Sequence, residues 1–338
     1  MKSWKLNAPN KLVLEESEPT VLQENLVKVK MEEIMLSTVD MDVINGDAKA
    51  PLPMIPGRYG VGVISEVFDK DKSMLRKMDR VVIEPYIPCG SCWACAKGDD
   101  DKCCDMKYMG LNCDGFYRDF VTVHTDLVHR LPDSISNEQA LFVPFVAFGI
   151  NIVDALNVEK GTHVAIFAST KEGIILAQLV AYYQAVPILV SGNEDLLDTA
   201  RSLGVFYCVD TNHMDVEKEI RTVTGGRMCK ELVLFANSEF SMKDLYSASA
   251  VNAVICLAGS AHKESKLSVS QICQKHLTIF CVFNGLGSIS SAINLLVTGT
   301  VKVDQLLGGT ISFDKLDKEI ANVNDNDLAL KSKVLKVD

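Results

Sequence analysis

A chain of 338 residues is long for a single hydrophobic core, so two domains are expected. Apolar residues make up 48% and charged residues 23%, an ordinary balance for a folded protein that excludes a disordered class. The net charge of -10 argues against a nucleic-acid footprint and against attraction to an anionic membrane surface.

The chain opens on the polar run MKSWKLNAPN, which lacks the apolar segment of a secretory signal, and a cytoplasmic location is expected. Up to about residue 150 the pattern is one of short strands between turns. Leu26-Val27-Lys28-Val29-Lys30 alternates, 60–67 is β-rich with two glycines, and Asp79-Arg80-Val81-Val82-Ile83-Glu84 reads as another strand. The most hydrophobic stretch, 140–156, is broken by Pro144, Gly149, Asn151 and Asp154 and is read as too short for a membrane span. From about Gly161 strands and helices alternate: strand 164–167, helix 173–183, strand 187–190, helix 194–203 and strand 206–209. Further strands follow at 231–235, 253–257 and 277–282, and the alternation predicts a doubly wound parallel sheet. After Phe283 a turn through Gly285-Leu286-Gly287 leads into a helix, and the strand-like Lys333-Val334-Leu335-Lys336 closes the chain. The expected fold class is therefore α/β: a β domain over 1–147, completed by 284–338, and a Rossmann-type domain over 148–283.

Cys89-Gly90-Ser91-Cys92-Trp93-Ala94-Cys95 followed by Cys103 gives the spacing C-x2-C-x2-C-x7-C. Four thiolates suit tetrahedral zinc, and two-residue gaps let the chain fold back on the ion. An iron–sulfur cluster also takes four cysteines, but three bunched ligands with a distant fourth favour zinc. Cys103 is preferred over its neighbour Cys104 on spacing, with a swap left open. A closed shell of four thiolates has no open position, so this metal, one per chain, is read as structural. Five of the remaining cysteines, Cys208, Cys229, Cys256, Cys273 and Cys281, fall in or beside apolar runs and are expected to be reduced, buried fillers.

The order of motifs resembles that of the zinc-containing medium-chain dehydrogenase/reductase family, as in alcohol, sorbitol and threonine dehydrogenases. Ile55-Pro56-Gly57, then Gly60-Val61-Gly62-Val63, Asp79-Arg80-Val81, the cysteine loop, Asp114-Gly115-Phe116 and Leu131-Pro132-Asp133 match in residue and spacing. The resemblance implies a GroES-like β domain carrying the zinc loop, a Rossmann domain, and an active site in the cleft between them. It also implies ligands for a catalytic zinc that this chain lacks. Where the family has its ligand cysteine stands Ser37, in Ser37-Thr38-Val39-Asp40, and where it has its histidine stands Arg58, in Gly57-Arg58-Tyr59. Val143 precedes Pro144 where some members carry a glutamate. A valine has no donor atom, a hydroxyl is a poor ligand, and a guanidinium does not coordinate and repels a cation by roughly several kcal/mol. None of the six histidines, His124, His129, His163, His213, His262 and His276, lies at a family ligand position. Ser37, Asp40, Arg58 and Tyr59 are the candidate catalytic residues. Arg58 is read either as favouring the Tyr59 phenolate for proton transfer or as pairing with Asp40 in a plain salt bridge. Cys113 is read as a packed thiol.

The cofactor fingerprint is also altered. After the strand at 164–167 stands Ala168-Ser169-Thr170-Lys171-Glu172-Gly173, of which only Gly173, the helix–strand packing glycine, matches. Thr170 crowds the approach of a pyrophosphate, Glu172 competes with it for the helix N-terminus, and Lys171 offsets this in part. Ser191 stands where NAD enzymes carry an acid, with no Arg or Lys nearby for a 2′-phosphate. Thr170, Lys171, Gly173 and Ser191 are the candidate cofactor residues, though neither NAD nor NADP is well served by them. Two functions remain: a zinc-independent oxidoreductase acting on a small alcohol or carbonyl compound, or a non-catalytic structural, regulatory or ligand-binding member of the family. Relatives commonly join the edges of their Rossmann sheets, so a homodimer or homotetramer is expected, with 277–282 as its contact strand.

Overall fold

The computed structural model describes all residues except 19–20, 69–73, 237, 260–265 and 338. His262 lies outside the described residues. The chain forms two compact units. One comprises Met1–Pro144, Ile289–Val297 and Leu306–Asp338; the other comprises Phe145–Ser288 and Thr298–Gln305. The first crossing thus falls three residues earlier than the expected 147. The return is also staggered, since Thr298–Gln305 belongs with the second unit after the helix Ile289–Val297 has rejoined the first.

The first unit is built on a seven-stranded sheet in the order Leu307–Ser312, Ser332–Lys336, Leu26–Leu36, Tyr59–Val67, Arg80–Ile83 and Val128–Arg130, with Phe120–His124 also paired to Leu26–Leu36. In Leu26–Leu36 the side chains alternate until the register slips between Met31 and Glu33. Val27, Val29 and Met31 are buried before that slip and Ile34 after it, so the bulge keeps apolar residues on the core side. Each such fully buried aliphatic side chain stabilises the fold by about 1.5–3 kcal/mol. An N-terminal hairpin, Lys2–Ala8 with Lys11–Glu16, was not foreseen; its Trp4 and Leu6 join the same core.

The second unit holds a six-stranded, wholly parallel sheet. Its order is Tyr207–Asp210, Val186–Ser191, His163–Phe167, Cys229–Phe235, Ser249–Ala258 and Thr278–Val282. This is the 3-2-1-4-5-6 order of a dinucleotide-binding fold. Central strands covered on both faces need continuous apolar runs, and Val164, Ala165, Ile166 and Phe167 are all fully buried. Among the described residues Thr278–Val282 has a neighbouring strand on one side only and is the edge strand of this sheet. For the same reason Cys281 is exposed, as is Cys273 on the solvent-facing helix Val269–Lys275. The expected burial therefore holds for Cys229 and Cys256, fails for those two, and is partial for Cys208; all eleven cysteines are free thiols.

Pro144 does not interrupt the apolar stretch. It sits in the first turn of the helix Val143–Leu156, where a missing N–H costs nothing. By length and composition Asn137–Leu156 is long and apolar enough to cross a membrane, contrary to the sequence expectation, while 72% of its apolar window is buried inside the protein. A core helix passes the same test.

The helix Lys171–Tyr182 lies tightly on the sheet at Gly173, where an added Cβ would fall 2.5 Å from Ala168 Cβ and 3.1 Å from Leu189 Cδ1. Gly173→Ala is expected to overpack this contact and lower stability by about 1–3 kcal/mol, read as a shift in the urea unfolding midpoint with unchanged slope.

Candidate functional site

Backbone bonding between two distant motifs shapes the first unit's polar locus. Ile55 N donates to Asp114 Oδ1 at 2.9 Å, Gly115 N to Ile55 O at 2.7 Å, Phe116 N to Gly57 O at 2.9 Å and Tyr117 N to Pro56 O at 3.0 Å. Only glycines fit this lacing. Gly57 has φ +95°, a left-handed conformation, and a Cβ there would fall 2.4 Å from the Tyr117 ring. A Cβ on Gly115 would fall 2.0 Å from Gly57 O. The lacing delivers Arg58 to the start of the strand Tyr59–Val67, whose Tyr59 faces Met35 across the sheet, two residues before Ser37.

The four candidate catalytic residues do come together. Ser37 donates to Asp40 Oδ2 twice, from its backbone N at 2.8 Å and from its Oγ at 2.6 Å, at the start of the helix Thr38–Asn45. Asp40 is fully buried, and burial raises its carboxyl from 3.8 to about 6 despite the Ser37 hydrogen bonds and the Arg58 charge. Among the described residues Asp40 and Arg58 do not form the salt bridge that was one sequence reading; Ser37 holds Oδ2, and Arg58 acts on the carboxyl through its charge. Arg58, only 7% exposed, lies instead among tyrosines. Its guanidinium carbon is 5.6 Å from the Tyr59 ring centroid and 5.8 Å from that of Tyr108. Burial works against its charge, but Tyr59, Tyr86 and Asp40 outweigh burial and leave its pKa above the usual arginine value. Three buried polar atoms in this neighbourhood lack a hydrogen-bond partner: Asp40 Oδ1, Arg58 Nε and Tyr117 Oη. Burial, with the Asp40 charge second, holds the Tyr117 phenol well above 10 and so keeps it protonated. Burial likewise pushes up the Cys113 thiol, consistent with a packed residue. Val143 is fully buried.

Tyr86, Tyr108 and Tyr117 were missed by sequence reasoning. Tyr86 and Tyr108 pair across the short ladder Tyr86–Ile87 with Lys107–Tyr108, their rings 5.9 Å apart and edge to face. That ladder is the stem of the cysteine loop, so the signal was proximity to the loop ends in sequence. Within the loop the Sγ atoms of Cys89, Cys92, Cys95 and Cys103 lie within 4.8 Å of one another, making it the only such donor group among the described residues. Tetrahedral zinc would set the sulfurs about 3.8 Å apart. Cys104 is exposed and outside the group, so Cys103 and not Cys104 completes the cluster of four thiols. Backbone donors, first that of Cys95, draw the Cys92 thiol down to about 6, whereas burial and the Cys92 thiol push Cys95 up. Sulfurs packed this closely cannot all ionise without a cation between them, so the donor set fits zinc.

In the second unit Thr170 precedes the helix Lys171–Tyr182 without capping it through its side chain, and its backbone O accepts from Gly173 N at 3.0 Å. Lys171 is fully buried, its ammonium 5.9 Å from the Phe145 ring centroid. Ser191 is fully buried and its Oγ accepts from Asn193 N at 3.2 Å. A further residue, Glu239, was not anticipated. Its Oε1 accepts from Gly192 N at 2.8 Å and its backbone N donates to Ser169 Oγ at 3.4 Å. A carboxylate thus stands beside the end of the second strand although that strand ends in serine. A helix N-terminus without a side-chain cap, a nearby cation and this carboxylate are the donor and acceptor types a dinucleotide requires.

Two outcomes follow from this geometry. Purified protein is expected to carry about one zinc per chain by elemental analysis; Cys92→Ser should lose it, whereas Cys104→Ser should retain it. The folded-state pKa of Asp40 lies above its unfolded value, so the folded chain binds that proton more tightly. Its contribution to stability is complete below about pH 3.8 and is lost as pH rises through about 6. Asp40→Asn should flatten the stability profile in that window and gain up to about 3 kcal/mol relative to wild type above it, measured by denaturant unfolding across pH.

Comparison with known proteins agrees with the fold. Residues 23–133 match the alcohol dehydrogenase GroES-like domain and residues 173–298 the zinc-binding dehydrogenase domain. An uncharacterized zinc-type alcohol dehydrogenase-like protein of Haemophilus influenzae is 25% identical over 329 residues, covering 96% of each chain. An alcohol dehydrogenase of Geobacillus stearothermophilus is 28% identical over 264 residues, 76% of this chain and 77% of its own. The crystal structure of a short chain alcohol dehydrogenase from E. coli CFT073 in complex with NADH superposes with a TM-score of 0.88, covering 100% of this chain and 99% of that one at 19% identity. The doubt over nicotinamide binding drawn from the altered fingerprint finds no support in these likenesses. With both of its characteristic domains matched and its cysteine loop assembled for a metal, the chain belongs to the zinc-type medium-chain dehydrogenase/reductase family of alcohol dehydrogenase-like oxidoreductases.

Proposed function

We propose that this protein is a cytoplasmic oxidoreductase that interconverts a small alcohol and its carbonyl compound using NAD(P)(H), with a structural zinc and no catalytic one. The observation that carries this reading is the buried Arg58 guanidinium, fixed among tyrosines, at the position where the family holds a zinc-binding histidine. A zinc ion polarises a carbonyl oxygen by placing positive charge beside it. A permanent, desolvated guanidinium exerts the same kind of field on an oxygen that gains charge in the transition state. Asp40, held near pKa 6 with Oδ1 unpaired, is matched to proton exchange close to neutrality. Ser37 positions Asp40 through two hydrogen bonds to its other oxygen. Tyr59 orients Arg58 by stacking.

The nicotinamide supplies or accepts the hydride when bound. Thr170, Lys171 and the N–H groups of their helix would receive its phosphates, Gly173 holds that helix against the sheet, and Ser191 and Glu239 would receive a ribose. The exposed edge strand Thr278–Val282 is the surface through which two copies would join, as a dimer or within a tetramer.

Titration with NADH and NADPH, followed by nicotinamide fluorescence, tests the reading. Saturable binding below millimolar concentration is expected, and its absence would favour the non-catalytic alternative. On a panel of small alcohols and aldehydes, Arg58→Gln should lower kcat/KM by about 10²–10³ without changing the zinc content. A second zinc per chain in the wild type would overturn the assignment to Arg58.

A further inference from the structure

A concavity on the second unit gathers charge opposite in sign to the chain as a whole. It is an open depression of about 510 Å³, the size of a small-molecule site. Three helices form its walls, Val216–Val223, Met242–Ala248 and Val269–Lys275. Right-handed crossovers running in one direction along the sheet place these three connections on the same face, away from the helix that begins at Lys171.

Four cations, Arg221, Lys243, Lys266 and Lys275, line the cavity against one carboxylate, Glu217. In a chain of net charge -10 such a surplus is not the local average. Glu217 is engaged by Arg221 at 2.8 Å. Lys275 is fixed in the wall, its Nζ donating to Tyr246 O at 2.6 Å and Ser249 O at 2.7 Å. Burial lowers the Lys275 pKa; the Glu217 carboxylate works against this, and the Arg221 charge adds to it by a lesser amount. Lys243 and Lys266 have no carboxylate partner among the described residues. Cations on a convex surface are dispersed by water. Here four converge on one hollow from separate elements, and repulsion among them is relieved by an anion entering the hollow. Tyr246 adds a fixed polar wall, its hydroxyl accepting from Ser268 N at 3.3 Å.

We propose that this cavity binds a small phosphorylated anion carrying at least two negative charges, at a site separate from the one that would hold a nicotinamide dinucleotide. A concave site of this volume selects a compact phosphate-bearing molecule. More than one charge is needed because the cations come from different walls. The two sources of such chemistry, an inorganic diphosphate and a phosphorylated metabolite, are distinguished by using one probe of each kind.

The experiment is calorimetric titration of the full chain, at low salt, with pyrophosphate, fructose 1,6-bisphosphate and inorganic phosphate. Binding of at least one two-phosphate probe, tighter than inorganic phosphate and unchanged by saturating NADH, is expected; which probe binds tighter identifies the source. The paired variant Lys243→Gln/Lys266→Gln should weaken that binding by about tenfold while keeping the wild-type unfolding midpoint. Raising the salt should weaken it in the wild type by a larger factor than in the variant. No binding up to about 10 mM, equal affinity in the paired variant, or loss of binding on adding NADH would each overturn the proposal. Because nicotinamide binding is read separately by fluorescence, failure here leaves the proposed oxidoreductase function untouched.

Discussion

A guanidinium that cannot lose its proton is buried at position 58, and much of the first unit's polar interior is arranged around that fact. Removing such a charge from water costs several kcal/mol unless its surroundings compensate. Here the compensation comes from the faces of Tyr59 and Tyr108, from Tyr86, and from Asp40 through space. Asp40 is itself strained between burial, which favours its neutral form, and the Ser37 hydrogen bonds and Arg58 charge, which favour the anion. The balance leaves its pKa raised to about 6, above that of a solvated aspartate.

The cysteine loop is tied to this locus through its stem. The ladder that closes the loop carries Tyr86 and Tyr108, so ordering the loop also orders part of the Arg58 surroundings. A metal held by the thiols would fix the ladder on which two aromatic rings stand. The laced segments 55–57 and 114–117 act in the same way from the opposite side of the sequence. Neither glycine in that lacing tolerates a side chain, because each position is occupied by the other segment's backbone or ring.

In the second unit the parallel sheet sets where chemistry can occur. Strand ends that converge at a reversal of strand order leave a crevice, and Ser169, Gly192 and Glu239 meet there. The loss of two fingerprint glycines is thus accompanied by a carboxylate contributed from a different loop. That contact has no local signature in sequence, since Glu239 lies 47 residues from the Gly192 it bonds.

The sequence by itself determined the family, the α/β class, the central strands of both sheets and the four clustered thiols. These rest on local spacing and on short-period patterns of burial, which survive in one dimension. It also singled out Ser37, Asp40, Arg58 and Tyr59 together, because they stand at motif spacings the family resemblance marks. Only the tertiary structure decided what those residues do to one another. Asp40 turned to Ser37 and not to Arg58, and Arg58 found tyrosines 28 and 50 residues further along the chain. It decided that Thr278–Val282 is an edge strand, which leaves Cys281 in solvent, and that Cys103 and not Cys104 completes the thiol group. An apolar run reads the same whether it has one neighbouring strand or two, and a buried charge can take any partner the fold brings near. Such choices are made by long-range packing, to which residue spacing along the chain is blind.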